Sequence, residues 1–200
     1  MTPSHADTEI SGYRTKPLLE FVTGLIGRED AVLCAIRMET AAKDLPPINV
    51  GPDEGRILHF LATSCRAKMI VEVGTLAGYS ACWMARALGE GGMLHTIEYD
   101  PRHAAVAKEN IARANLTAKI TVHLGAGMDI LPKLSALAPF DMCFIDADKA
   151  GCADYTRWAV DNVRSGGWVS LDIAYLFGMI SFGAAGTKGR SSNKQATSGR

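Results

Sequence analysis

From Lys68 onward, short apolar runs alternate with longer amphipathic stretches, and this alternation restricts the fold more than any other feature of the chain. Strand followed by helix followed by strand is the βαβ rhythm, in which the helix carries the chain back so that the next strand can run parallel to the last. Strands are expected at about 68–74, 93–99, 120–125, 140–147 and 167–173, with helices at about 78–89, 101–115, 128–137 and 151–164. The segments MIVEVG and DMCFIDA are nearly continuous in apolar residues, as strands are when helices cover both faces of their sheet. The expected fold class is therefore α/β, with a doubly wound, mostly parallel sheet.

Ahead of this region lies a helical cap. Residues 17–43 follow a helical pattern with a break near Gly27, Pro46-Pro47 enforces an extended stretch, and Pro52-Asp53-Glu54 opens a helix reaching about Cys65. Residues 1–16 are polar and expected to be flexible, and 17–180 form one domain. Residues 181–200, rich in Gly, Ser and Lys with no acidic residue, are expected to be a disordered basic tail. The 21 basic and 21 acidic residues cancel, so no global field favours nucleic acid or an anionic membrane. No apolar run reaches the roughly 18–20 residues of a spanning helix, and the polar start lacks a secretory h-region, which points to a cytoplasmic protein. The five cysteines and five histidines show no metal-ligand spacing, so the cysteines read as reduced thiols and no histidine is assigned a role.

In an open parallel sheet, ligands sit beyond the carboxyl ends of the strands. The first βαβ strand ends there in VEVGTLAGYS, Val71 to Ser80. Gly74 and Gly78 let the backbone turn sharply and approach a ligand, and Tyr79-Ser80 begins a helix whose N-terminus favours electron-rich groups. The spacing Glu-x-Gly-x-x-x-Gly, with Leu76 where a second close-approach glycine would stand, is wrong for a pyrophosphate-binding dinucleotide loop. Glu72 would repel a pyrophosphate but suits a cationic amino group. Glu98, at the end of the second strand, is placed to hold a ribose diol, while Asp100 caps the helix starting at Pro101. The fourth strand delivers Asp146, Asp148 and Lys149, and the fifth delivers Asp172. Two carboxylates from adjacent strands suit a hard cation such as Mg²⁺, beside which a lysine could deprotonate a hydroxyl.

In these segments together the sequence resembles the cation-dependent small-molecule O-methyltransferases, which include the catechol and caffeoyl-CoA enzymes. The resemblance covers about residues 45–180, through Ile48-Asn49-Val50-Gly51, VEVGTLAGYS, TIEYD, LGAGMDILP, FIDADKAGCADY and the strand of Asp172. It implies the Rossmann-like class I methyltransferase fold and S-adenosylmethionine as cofactor. Val50 would cover the methionine end, Glu72 and Ser80 would bind the amino acid part, and Gly74 with Thr75 would give backbone approach. Glu98 would hold the ribose, and Gly127 and Met128 would lie by the adenine. Asp146 and Asp172 would bind Mg²⁺, Asp146 also bordering the cofactor, and Lys149 would be the general base. The reaction so implied is in-line transfer of a methyl group to a hydroxyl of a catechol-like, vicinal-diol aromatic, with a homodimer as the possible assembly. In three places the chain departs from the pattern. Ile173 stands where the family has a metal-ligand Asn, Cys152 where it usually has an aromatic, and residues 179–200 supply no sequence for its last two strands. A non-catalytic, cofactor-binding relative is the alternative that these departures raise.

Overall fold

The computed structural model of the chain describes residues 16–26, 29–116 and 118–172. The expected N-terminal flexibility, the break at Gly27, Ile173, the last two strands and the basic tail all lie outside the described residues.

Two helices come first, α1 (Lys16–Leu25) and α2 (Ala31–Ala42), followed by α3 (Pro52–Ser64). Then β1 (Met69–Val73), α4 (Tyr79–Ala85), β2 (Met93–Glu98), α5 (Pro101–Ala114) and β3 (Lys119–Leu124) complete one half of the alternation. The other half is α6 (Gly127–Leu134), a 3₁₀ turn at Ser135–Leu137, β4 (Phe140–Ile145), α7 (Cys152–Asn162) and β5 (Val163–Leu171). Local chemistry explains the helix starts. Asp30 accepts from Leu33 N at 3.0 Å, Asp100 accepts from Arg102 N at 2.7 Å, and Glu54 reaches back to Gly51 N at 2.7 Å with Pro52 in the first turn.

Two boundaries differ most from the sequence expectation, by four residues each. The fourth helix stops at Ala85 rather than near 89, because Ala87 N and Leu88 N bond three residues back, to Met84 and Ala85, and tighten the chain into turns before Gly89. The fifth strand begins at Val163 rather than 167. Arg164 ties this segment to the sheet, donating to Asp141 Oδ1 and to Cys65 O at 2.6 Å each, and the pairing with β4 is irregular between Phe140 and Met142.

All four strand pairs are parallel, in the order β3-β2-β1-β4-β5. The alternation of side chains separates two cores. Ile70, Leu94, Met142 and Phe144 face α3, α4 and α5 with α2 behind them. Val71, Val73, Cys143 and Ile145 face Leu131 and Leu134 of α6 and Tyr155, Trp158 and Ala159 of α7. The sheet is thus doubly wound, as its apolar strands required. After β1 the chain builds toward β2 and β3, and later returns to place β4 on the other side of β1. The direction of winding reverses between β1 and β4, and there the connecting loops part to leave a crevice at the strands' carboxyl ends.

Candidate active site

Beyond β1 the backbone turns at Gly74 (φ +100°) and Gly78 (φ +83°), both in the left-handed region. Gly74 is irreplaceable for a second reason: a Cβ there would stand 1.8 Å from the carbonyl oxygen of Asp146. The close approach locks the ends of β1 and β4 together, with Asp146 N donating to Val73 O at 2.8 Å. Leu76 also holds a positive φ of 48°. Its strained turn is held by Glu98, whose Oε2 accepts from Leu76 N at 2.8 Å and from Thr75 N at 3.3 Å. The other oxygen of Glu98 accepts from Asp100 N at 2.9 Å. The carboxylate that ends β2 therefore organises the loop that ends β1.

A cavity of about 640 Å³ opens at this switch point. Val50, Gly74, Thr75, Ser80, Glu98, Gly127 and Asp146, all singled out from the sequence, line it. Glu72 stands one layer deeper. Fully buried in the sheet, it accepts from Ser80 Oγ at 2.6 Å, while its second oxygen has no well-formed hydrogen bond among the described residues. Burial pushes its carboxyl up to about 8, against the opposing pull of Ser80 and Thr96. Ser80 lies between this buried acid and the open cavity.

At the other lip, Asp146 and Asp172 follow directly after the paired ends of β4 and β5, where Ile145 and Leu171 are partners. Burial first, then the charges of Asp172 and Glu54, pushes the Asp146 carboxyl up to about 7. A cation placed between Asp146 and Asp172 would relieve that penalty, so the pair suits a divalent ion by its chemistry, although the described residues contain no ready-made group of three or more metal-ligating side chains.

The comparisons with known proteins agree with this geometry. A family model described as O-methyltransferase matches residues 25–192. The chain belongs to the O-methyltransferase family. Within that family it is 47% identical over 154 residues to a catechol O-methyltransferase of Niastella koreensis, an alignment covering 76% of this chain and 70% of that one. It is 39% identical over 148 residues to a catechol O-methyltransferase of Mycobacterium tuberculosis, covering 74% of this chain and 66% of the relative. Among solved structures, an O-methyltransferase from Bacillus cereus in complex with SAH has a TM-score of 0.69 at 37% identity, covering 72% of this chain and 67% of that one. An O-methyltransferase from Streptomyces achromogenes in complex with SAM has a TM-score of 0.68 at 37% identity, covering 72% and 66%. The matches thus span about two thirds of the length of these relatives.

Four residues singled out from the sequence fall outside the cavity wall: Glu72 in the layer below it, Asp172 just past the end of β5, and Met128 and Lys149. Met128, the second residue of α6, is 42% exposed, because the helix begins at Gly127 and turns the next side chain outward. Lys149 is exposed on the turn that Asp148 closes by accepting from Gly151 N at 2.6 Å. Conversely, residues without an assignment from the sequence line the cavity, among them Tyr99, His103 and Tyr155. Tyr155 donates to Asp148 at 2.6 Å, and its ring fills the space where a Cβ on Gly127 or Gly151 would stand, 2.6 and 2.3 Å away. Those two glycines signal the ring, but only once the fold has brought them to it.

Proposed function

We propose that the chain binds S-adenosylmethionine in the 640 Å³ cavity and transfers its methyl group to a hydroxyl of a small, catechol-like aromatic. The observation that carries this reading is the buried Glu72–Ser80 pair beside the loop stitched by Glu98. Ser80 spends its proton on Glu72 and turns lone pairs to the cavity, where a cationic amino group can be held. Glu98 stands where a ribose diol is recognised, Gly74 and Thr75 give backbone approach, Val50 closes the methionine end, and Gly127 borders the adenine with Met128 outside it. Asp146 and Asp172 would hold a divalent cation such as Mg²⁺, which when bound would acidify a chelating hydroxyl and orient a vicinal diol. Lys149 removes the hydroxyl proton in this reading, reaching the crevice from its exposed turn. Alignment of the acceptor oxygen with the sulfonium methyl group supplies the remainder of the rate. The acceptor is a small molecule rather than a nucleic acid, in keeping with the balanced charge.

Ile173 favours a second reading, a cofactor-binding protein without turnover, since hydrocarbon in place of an amide ligand weakens the cation site. Calorimetric titration with S-adenosylmethionine, with and without Mg²⁺, followed by methyl-transfer assays on a catechol panel, separates the two. Binding and Mg²⁺-stimulated turnover are expected. Binding without turnover at any Mg²⁺ concentration selects the second reading, and no binding at all defeats both.

A further inference from the structure

Glu98 is more heavily engaged than a ribose ligand needs to be. A carboxylate only accepts, through about four lone-pair directions, and three of them are filled by the backbone N–H groups of Thr75, Leu76 and Asp100. Roughly one unshared direction remains for a sugar that presents two hydroxyls, so a neighbouring donor would add to what Glu98 offers the diol. The polar side chain standing next to Glu98 in the cavity wall is His103. Its Nδ1 lies 3.6 Å from Glu98 Oε1, too far for a hydrogen bond, and its side chain, which lines the cavity, is 20% exposed. Among the described residues its ring has no closer polar partner. The backbone that carries the ring is anchored: His103 is the third residue of α5, and its backbone N–H donates to the capping Asp100 Oδ1 at 3.3 Å.

We infer that His103 and Glu98 together clasp one hydroxyl of the cofactor ribose, which makes His103 a binding residue selective for a nucleoside with an intact diol. The inference rests on the cofactor reading above. A hydroxyl oxygen seated against both groups takes a hydrogen bond from the imidazole and gives one to the carboxylate, turning a gap of 3.6 Å into two bonds. Neither group alone offers this, since the carboxylate has no proton to give and the imidazole has no negative charge to strengthen the bond it accepts.

The test is calorimetric titration of the full chain with S-adenosylhomocysteine and with its 2′-deoxy and 3′-deoxy forms. His103→Phe keeps the ring shape without the nitrogens, and His103→Gln restores a donor. Loss of one such hydrogen bond corresponds to about 3- to 10-fold in affinity. His103→Phe is expected to weaken S-adenosylhomocysteine by that factor, His103→Gln by less, and one of the two deoxy ligands is expected to bind both wild type and His103→Phe equally. In turnover, the loss in kcat/KM for S-adenosylmethionine is expected in KM. Equal binding of S-adenosylhomocysteine by wild type and His103→Phe overturns the inference while leaving the cofactor reading intact, as do variant and deoxy losses that simply multiply. Failure of the wild type to bind S-adenosylhomocysteine overturns the cofactor reading itself. Thermal unfolding of each variant identifies any that fails to fold, and His103→Gln then carries the comparison.

Discussion

Glu72 is an acid where the core would accept a hydrocarbon, and replacing it by Gln should change how stability depends on pH. The carboxyl is fully buried and pushed from 4.5 to about 8. In the unfolded chain it loses its proton near 4.5, whereas in the folded protein it keeps the proton until about 8. Between these values the folded state holds one more proton than the unfolded state, so stability falls as pH rises. The stabilising contribution is complete below 4.5 and is lost as pH passes through about 8. At about 1.4 kcal/mol for each tenfold change in proton affinity, the loss between about pH 5 and about pH 8.5 is on the order of 4 kcal/mol.

Gln keeps an oxygen for the proton of Ser80 but does not titrate. Its amide nitrogen takes the place of the oxygen that carries the proton in the folded wild type, a donor in the same position, so the exchange costs little wherever Glu72 is protonated. Glu72→Gln should therefore be close to the wild type in stability near pH 5 and the more stable protein near about pH 8.5. Urea unfolding of both proteins across this range measures the difference, and other titrating groups cancel to first order because both chains carry them. Parallel stability curves, or a wild type that gains on the variant as pH rises, would refute the reasoning, since Glu72 would then be ionised inside the folded protein at neutral pH.

Further outcomes follow from other contacts. Gly74→Ala places a methyl group 1.8 Å from Asp146 O at φ +100°, and should cost at least about 3 kcal/mol in urea unfolding; a loss under about 1 kcal/mol would mean that β1 and β4 are not locked there. Lys149→Ala should lower kcat by about a hundredfold or more, with the dissociation constant for S-adenosylmethionine unchanged; kcat within about twofold of wild type would remove Lys149 as the base. Ile173→Asn should tighten Mg²⁺ binding and raise turnover, and calorimetry showing neither would place the cation elsewhere. Tyr155→Phe deletes the 2.6 Å bond to Asp148 and should cost about 1 kcal/mol of stability, a value that thermal unfolding can check.

The order of elements was legible where a strand announced itself by a nearly unbroken apolar run, as β1 and β4 do, or a helix by a cap, as α5 does. Met69–Val73 and Phe140–Ile145 needed no tertiary information, and Asp100-Pro101 marks the start of α5 in the sequence itself. Boundaries were less legible where a distant residue decides them. Arg164 joins β5 because Asp141 and Cys65 are there to receive it, and neither is near it in sequence. The same holds at the site. Residues at strand ends, Glu72, Glu98 and Asp146, could be found from spacing, because the sheet brings every strand end to one edge. His103 could not, since one turn into a helix looks like any solvated position until the helix is laid against the loop. Glu54, whose sequence context is that of a helix cap, is also seen to act on Asp146 only after folding.

That convergence of acids has a consequence for cation binding. Burial, Asp172 and Glu54 together hold the Asp146 proton up to about 7, so without a cation the folded state loses stability as pH rises through that value. A divalent ion between Asp146 and Asp172 must displace this proton when pH is below about 7 and need not do so above it. Mg²⁺ affinity should therefore fall up to about tenfold per pH unit on the acid side and level off above about 7. Because a ligand stabilises in proportion to the logarithm of its occupancy ratio, the rise in melting temperature at fixed Mg²⁺ should be larger near pH 8 than near pH 6. Asp146→Asn should abolish that difference while leaving a fold that melts cooperatively. A Mg²⁺ effect of equal size at both pH values would show that Asp146 is not where the cation displaces its proton.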